Sequence, residues 1–166
     1  DYQKLQYFFS ESKWDLQAIK QKRMDIIQKQ RTTATTKDGI LTIDDTGCPK
    51  PFAKQTEAAK WQYCGSLKRS EICNVAVGAA FVSKAKHFPI DVVPYLPADE
   101  FPEGKKDLHF KDKIQIAIEL FDNALESFDF SATSFDSWYS AKRFLEHIHA
   151  KERIFYSEIK SNRNIF

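Results

Sequence analysis

Hydrophobic and polar positions change their spacing once along this chain, from helical to strand-like. Near the start, apolar residues recur at helical intervals and predict a short helix over residues 2–9 and a longer one over about 15–30. In the short helix, Leu5, Phe8 and Phe9 are expected to face inward. A Thr-rich, polar turn then separates this N-terminal helical segment, residues 1–37, from the rest of the chain.

From residue 38 onwards the pattern is typical of strands joined by loops and helices. Five apolar or alternating runs predict strands at residues 40–46, 72–82, 88–96, 130–136 and 153–159. Two amphipathic helices, over about 111–127 and 138–148, separate the last three of these strands. Residues 47–70 carry few apolar positions, and we expect a surface excursion anchored by Trp61 and Tyr63.

This order of elements predicts an α/β fold. Three antiparallel strands followed by two strands added in parallel through right-handed crossovers make one mixed, five-stranded sheet flanked by helices. The order is that of the ribonuclease H-like fold, and it occupies residues 38–166. In this topology the first and fourth strands are neighbours.

Acidic residues follow two of the predicted strands. Asp44 and Asp45 end the first strand, before Thr46 and Gly47, and Asp136 ends the fourth. Carboxylates that converge from neighbouring strands bind Mg²⁺ or Mn²⁺. Each stretch also has a simpler interpretation, a turn at Asp-Asp-Thr-Gly and a helix N-cap at Asp136. We favour a metal site because the predicted topology makes these two strands neighbours.

Composition and charge narrow the classes of protein that fit. The 166 residues are 42% hydrophobic and 29% charged, which is enough for a real core, and the net charge of +2 identifies no partner. Three cysteines without CxxC spacing predict reduced thiols in an intracellular protein, with neither a disulfide framework nor a zinc knuckle. The longest apolar run, residues 75–82, is too short to cross a membrane, so we expect a cytoplasmic protein.

Several stretches, taken in order, resemble the DDE transposases of bacterial insertion sequences. The matching stretches are Leu41–Gly47, Gln62–Leu67, Pro94–Pro97, Phe135–Tyr139 and Ile159–Arg163. The resemblance covers almost the whole chain and implies a DDE superfamily endonuclease with a ribonuclease H-like catalytic domain. It implies a DNA transposase that cleaves DNA strands at the ends of a mobile element and transfers them by metal-dependent phosphoryl transfer.

The resemblance also implies residues, cofactors and partners. The catalytic acids would be Asp44 and Asp136, which would bind two Mg²⁺ (or Mn²⁺) ions in the complete site, with Asp45 as the alternate first acid. Asp44 is preferred because strand alternation makes it hard for both neighbours to face the metals. The partners would be transposon-end and target DNA, with self-association on that DNA, in the cytoplasm or nucleoid of a bacterium. The basic tail would contact DNA phosphates through Lys160, Asn162 and Arg163.

The chain departs from the family pattern at the third acid, a Glu on a helix beyond the last strand predicted here. Glu119 and Glu126 on the first long helix are candidates, but solvated helix-face carboxylates explain both. The sequence therefore resembles a truncated enzyme. Two alternatives stay open: an inactive transposase fragment that keeps the fold and binds DNA, and a ribonuclease H-like nuclease outside transposition.

Overall fold

The computed structural model describes residues 1–159 and divides the chain into two compact units, 1–34 and 35–166. The first unit contains two helices, α1 (Tyr2–Ser10) and α2 (Leu16–Lys29). Each helix begins directly after an aspartate whose carboxylate accepts a backbone N–H of the first turn. Such caps stabilise the otherwise unpaired N–H groups of a helix start.

The apolar residues of α1 do not face inward as predicted. Leu5 is 59% exposed and Phe8 is 46% exposed, so this expectation is wrong. Phe8 instead packs edge-on against Trp14, with ring centroids 4.4 Å apart, inside the same unit. The physical reason is size, because a unit of two short helices has too little interior to bury every apolar position.

The second unit is built around a β-sheet. Within the described residues its strands are β1 (Ile40–Pro49), β2 (Lys60–Cys64), β3 (Arg69–Val82), β4 (His87–Tyr95), β5 (Ala132–Phe135) and β6 (Ile154–Ser157). Its α-helices are α3 (Lys113–Ser127), between β4 and β5, and α4 (Lys142–Ala150), between β5 and β6. None of the helices in residues 1–159 has the length and apolar character to span a membrane.

The strands pair in the predicted topology. β3 pairs antiparallel with β1 along one side and with β2 and β4 along the other. β5 lies parallel to β1, and β6 lies parallel to β5. The mixed α/β sheet of the ribonuclease H-like fold is therefore confirmed, including the neighbouring first and fourth predicted strands.

The predicted strand count needs one correction, because the sheet has six described strands and not five. The added strand, β2, lies in the stretch expected to be a surface excursion and pairs with the first five residues of β3. Trp61 and Tyr63 are 70% and 59% exposed, so they do not anchor that stretch. On this short strand every second side chain points away from the core, and both aromatic residues lie on that side.

The two faces of the sheet differ sharply. On the covered face, Leu41 and Ile43 of β1 and Val77 of β3 are 0% exposed, and α3 packs against these strands. On the open face, Thr42 and Asp44 of β1 are half-buried or exposed, as are the small residues paired with them on β3. Alternation along β1 therefore sends Asp44 to the open face and Asp45 to the covered face.

Candidate active site

Asp44 and Asp136 directly follow the last paired residues of the neighbouring parallel strands β1 and β5. β1 itself neither ends at the two aspartates nor turns there, as the sequence suggested, but continues to Pro49 because these residues pair with β3. The last register pair between β1 and β5 joins Ile43 to Phe135, one residue before each acid. Burial raises the pKa of Asp44, and the nearby negative charges of Asp136 and Asp45 raise it further. The backbone N–H of Asp45 donates a hydrogen bond to Asp44 Oδ1 at 2.8 Å, and this bond lowers the pKa of Asp44. The structure thus brings together two predicted acids that repel each other as anions.

The Asp136 carboxylate is held in place by the turn that leads into α4. Its Oδ1 accepts the backbone N–H of Trp138 at 2.9 Å and of Tyr139 at 3.3 Å. The N-cap interpretation of Asp136 is nevertheless wrong, because α4 begins at Lys142 and its N-cap residue is Ala141. Both bonds belong to the turn before the helix and end on the same oxygen, so they are compatible with metal binding by this side chain.

Asp45 meets a different partner on the covered face. Lys113, the first residue of α3, forms a salt bridge with Asp45 through its ammonium group. The Lys113 Nζ also lies 5.1 Å from the ring centroid of Trp138 and 5.7 Å from that of Tyr95. Asp45 is therefore neutralised by the protein itself, whereas Asp44 faces another acid.

Tyr139 follows Asp136 by three residues and is buried together with its hydroxyl. The side chain is 0% exposed, and its hydroxyl oxygen makes no hydrogen bond within the described part of the chain. Burial raises its pKa strongly, followed by the charges of Asp45, Asp44 and Asp136. A buried hydroxyl left unpaired costs about 1–3 kcal/mol. The phenol is thus held in its neutral form.

Sequence reasoning missed Lys113 and Tyr139. Lys113 is separated from Asp45 by 68 positions, and no motif connects the two. Tyr139 belongs to the stretch that resembles the family, but nothing in its spacing indicated a place near the acids. Pairing of β1 with β5 and the docking of α3 create both relationships.

The donor set suits a hard divalent cation. Carboxylate oxygens are the ligands that Mg²⁺ prefers, and Mg²⁺ is commonly held by one or two carboxylates together with substrate phosphates. Asp45 already pairs with the Lys113 ammonium, whereas Asp44 and Asp136 act on each other as like charges, a repulsion that a bound cation would relieve. The residues present therefore fit such an ion.

A third acid does not join this pair in the described part of the chain. Within residues 1–159, no group of three or more His, Cys, Asp or Glu side chains is arranged to hold a metal. Glu119 instead binds Lys111, with 2.8 Å between the charged atoms, and Glu126 is exposed. The predicted DNA contacts Lys160, Asn162 and Arg163 lie outside the described residues.

An open cleft gives access to Asp44 from the open face. It has a volume of about 380 Å³, lies between β1, β3 and β4, and is lined by Asp44, Gly78 and Val92 among others, with Asp45 also at its wall. Gly78 pairs with Asp44 across the strands. A Cβ on Gly78 would meet nothing closer than 3.8 Å, so the space beside Asp44 at this position is not crowded. A substrate group can therefore approach the Asp44 carboxylate directly.

Three comparisons relate this chain to known proteins. The family model described as "DDE superfamily endonuclease" matches residues 1–166. A probable transposase for insertion sequence element IS701 from Microchaete diplosiphon is 29% identical over 98% of this chain. The chain spans 42% of the length of that relative. A piggyBac transposase solved by cryo-electron microscopy in a synaptic complex with hairpin DNA matches 90% of this chain and 29% of its own, with 14% identity and a TM-score of 0.42.

Proposed function

This chain belongs to the DDE superfamily endonucleases, and we propose that it carries the metal-binding acids of an insertion-sequence DNA transposase. The observation that carries the proposal is that Asp44 and Asp136 directly follow the last paired residues of two neighbouring parallel strands and act on each other as like charges. The family's general use of divalent metal ions supports the choice of cofactor. The similarity to an insertion-sequence transposase supports the choice of reaction.

In this proposal Asp44 and Asp136 hold Mg²⁺ or Mn²⁺, with two ions in the complete site. A bound divalent ion supplies positive charge that activates an attacking oxygen and stabilises a leaving oxygen in phosphoryl transfer. The chain's own contribution is placement. The N–H groups of Trp138 and Tyr139 fix the Asp136 carboxylate, and Lys113 keeps Asp45 engaged, so that Asp45 is only the alternate ligand.

The proposed substrate is DNA, at the ends of the mobile element and at the target. The open cleft beside Asp44 is the approach route for the phosphate that is to be cleaved. Lys113 brings a positive charge close to that phosphate, and a fixed cation there stabilises negative charge that develops during reaction. We also propose self-association on DNA, with Lys160, Asn162 and Arg163 as phosphate contacts.

Calorimetric titration with Mg²⁺ and Mn²⁺ tests the metal site. We expect binding by the wild-type chain that is lost in Asp44→Asn and in Asp136→Asn. Asp129→Asn is the matched control, since Asp129 precedes β5 at its opposite end and is 62% exposed. Binding that is indifferent to both site substitutions would overturn the assignment.

Strand cleavage of plasmid DNA in Mn²⁺, with the same variants, tests the reaction. We expect nicking that requires Asp44 and Asp136, and joining of DNA 3′ ends when element ends are supplied. Cation and DNA binding without cleavage would contradict an enzymatic role for this chain and support the alternative of a DNA-binding transposase fragment. Nicking without any strand joining would support a nuclease outside transposition.

A further inference from the structure

Two large aromatic side chains of β2 point into solvent. Trp61 and Tyr63 are both mostly exposed, and within residues 1–159 their rings stack neither on another aromatic ring nor on a cation. They are two positions apart on one strand, so they lie on the same face of the sheet, about 7 Å apart along the strand. We refer to these two residues as the aromatic pair.

The sheet register puts the aromatic pair on the same open face as Asp44. Trp61 pairs with Ile72 of β3, and Asp44 pairs with Gly78 of the same strand. Paired residues share a face, and positions 72 and 78 are an even number apart, so Trp61 and Asp44 share one too. Their separation measured along β3 is about 20 Å. A DNA strand at about 3.4 Å per nucleotide covers this length in about six nucleotides.

Small neutral side chains lie between the aromatic pair and Asp44 on the open face. They are Thr46 and Cys48 of β1, both exposed, and their register partners Ala76 and Asn74 of β3. Acidic side chains here would repel a polyanion, whereas these residues carry no charge. Thr46 also lines the cleft beside Asp44, so the uncharged part of the face is continuous with that cleft.

The chain around β2 is basic. Residues 50–69 contain one acid, Glu57, and five basic residues: Lys50, Lys54, Lys60, Lys68 and Arg69. Three of these, Lys50, Lys54 and Lys68, are exposed and form no salt bridge in the described part of the chain. The Lys50 backbone N–H donates to the carbonyl oxygen of Ile72 at 2.7 Å, which places Lys50 across β3 from Trp61. Ammonium groups of this kind bind phosphates.

Exposed rings among unpaired ammonium groups favour an unpaired nucleic acid strand as the partner. Strand propensity explains an aromatic residue in β2, but it does not explain why both rings lie outside the core. Bases of a single strand stack on such rings while lysines bind the phosphates, and the bases of a duplex are already stacked on one another. Lysine is depleted at protein–protein interfaces, so a second protein fits this surface less well.

We infer that Trp61 and Tyr63 form a base-stacking site for an unpaired DNA strand that runs along the open face to the proposed cation site. This inference rests on the proposed function and names a second place where the DNA of that site is held. Stacking tolerates any sequence, because every base has a π-face. Lys50 and Lys68 bind phosphates of the same strand.

Fluorescence anisotropy of a labelled oligothymidylate of about 12 nucleotides, with the full chain in chelator, tests the inference. We expect Trp61→Ala to lower the affinity about 10-fold, and Trp61→Phe to lower it less because a ring remains. Tyr63→Ala should also weaken binding. Tyr7→Ala is the matched control, since Tyr7 is 66% exposed and Tyr63 is 59% exposed, but Tyr7 lies in the N-terminal unit. That control should leave the affinity unchanged.

The salt dependence of the same binding separates stacking from charge. Lys68→Gln should reduce the slope of log affinity against log salt concentration by about 0.7, as expected for one lost phosphate contact on a single strand. Trp61→Ala should leave this slope unchanged and lower the affinity at every salt concentration. A slope reduced by Trp61→Ala to the same extent would mean that the ring acts only by holding the lysines in place, and would overturn the stacking role.

Other outcomes would also overturn the inference. Unchanged oligothymidylate affinity in both Trp61→Ala and Tyr63→Ala removes the stacking site but leaves the proposed function, which metal-dependent nicking tests separately. Equal losses of affinity for the single strand and for a duplex contradict an unpaired strand. Unchanged DNA affinity together with conversion of a dimer into a monomer would make the aromatic pair an interface between copies of this chain. Absence of nicking in Mn²⁺ overturns the proposed reaction, whereas the anisotropy, measured without metal, still decides the stacking site.

Discussion

Two consecutive aspartates of β1 have opposite charged neighbours, because one lies on the open face of the sheet and the other on the covered face. On the covered face Asp45 is paired with Lys113 at the start of α3. On the open face Asp44 lies beside a cleft, and its strongest charged neighbour is another acid, Asp136. One residue type therefore serves two purposes, because alternation along a strand exposes neighbours to different surroundings. The carboxylate that the protein leaves uncompensated is the one available to an external cation.

Replacing each of the two aspartates by asparagine, one at a time, should give the largest difference between the two faces. Asp44→Asn should lower Mn²⁺ affinity by about 100-fold, because one of two carboxylate ligands loses its charge. Asp45→Asn should have a much smaller effect, since Asp45 is already neutralised by Lys113. Calorimetry on both variants measures the difference. A larger loss in Asp45→Asn would instead make Asp45 the ligand and require Lys113 to release it on binding.

A methyl group added on each face tests how tightly the two faces are packed. On Gly47 a Cβ would lie 2.6 Å from Cys64 Sγ and 3.0 Å from its Cα, whereas on Gly78 the nearest atom is 3.8 Å away. Gly47→Ala should therefore destabilise the fold by about 2 kcal/mol, and Gly78→Ala should be close to neutral. Chemical denaturation of both variants measures this. Equal losses would show that the two faces are equally packed at these positions.

Replacement of Lys113 tests whether its charge competes with a metal ion for Asp44. Lys113 lowers the pKa of Asp44, which means that its charge stabilises the anion and competes with any other cation nearby. Lys113→Gln should therefore raise Mn²⁺ affinity about 3- to 10-fold, or about 1 kcal/mol, while slowing DNA cleavage. Lys111→Gln is the control, because Lys111 pairs with Glu119 on the exposed side of α3. A fall in Mn²⁺ affinity would mean that Lys113 supports the ligands and does not compete with the ion.

Hydrophobic spacing was sufficient to predict the sheet order and the convergence of Asp44 with Asp136, because both depend on the order of strands. It was insufficient for β2, where polar and apolar residues alternate over positions 60–64 but the two aromatic side chains point outward. It also could not connect Lys113 with Asp45 or place the Tyr139 hydroxyl, since those relationships arise only when α3 and the β5–α4 turn dock on β1. The local pattern of apolar and polar residues predicts helices and strands. The charge contacts of the site arise only when residues distant in the sequence are brought together by folding.

The smallest expected effect concerns stability without metal. The folded-state pKa of Asp44 is raised above its ordinary value of 3.8, so between these two values the folded chain binds more protons than the unfolded chain. Stability therefore falls as pH rises through this window. At pH 7 Asp44→Asn should be more stable than wild type, by less than about 1 kcal/mol because Asp44 is partly exposed and its charge is screened.

The gain should disappear below the ordinary pKa of the group, where Asp44 is protonated in both states. Asp45→Asn should behave in the opposite way at pH 7, because it leaves the Lys113 ammonium half-buried without its partner. Thermal unfolding of the two variants across pH, in chelator, measures both effects. If Asp44→Asn were the less stable variant at pH 7, its carboxylate would be held by a favourable contact inside the protein, and the distinction between the two faces would fail.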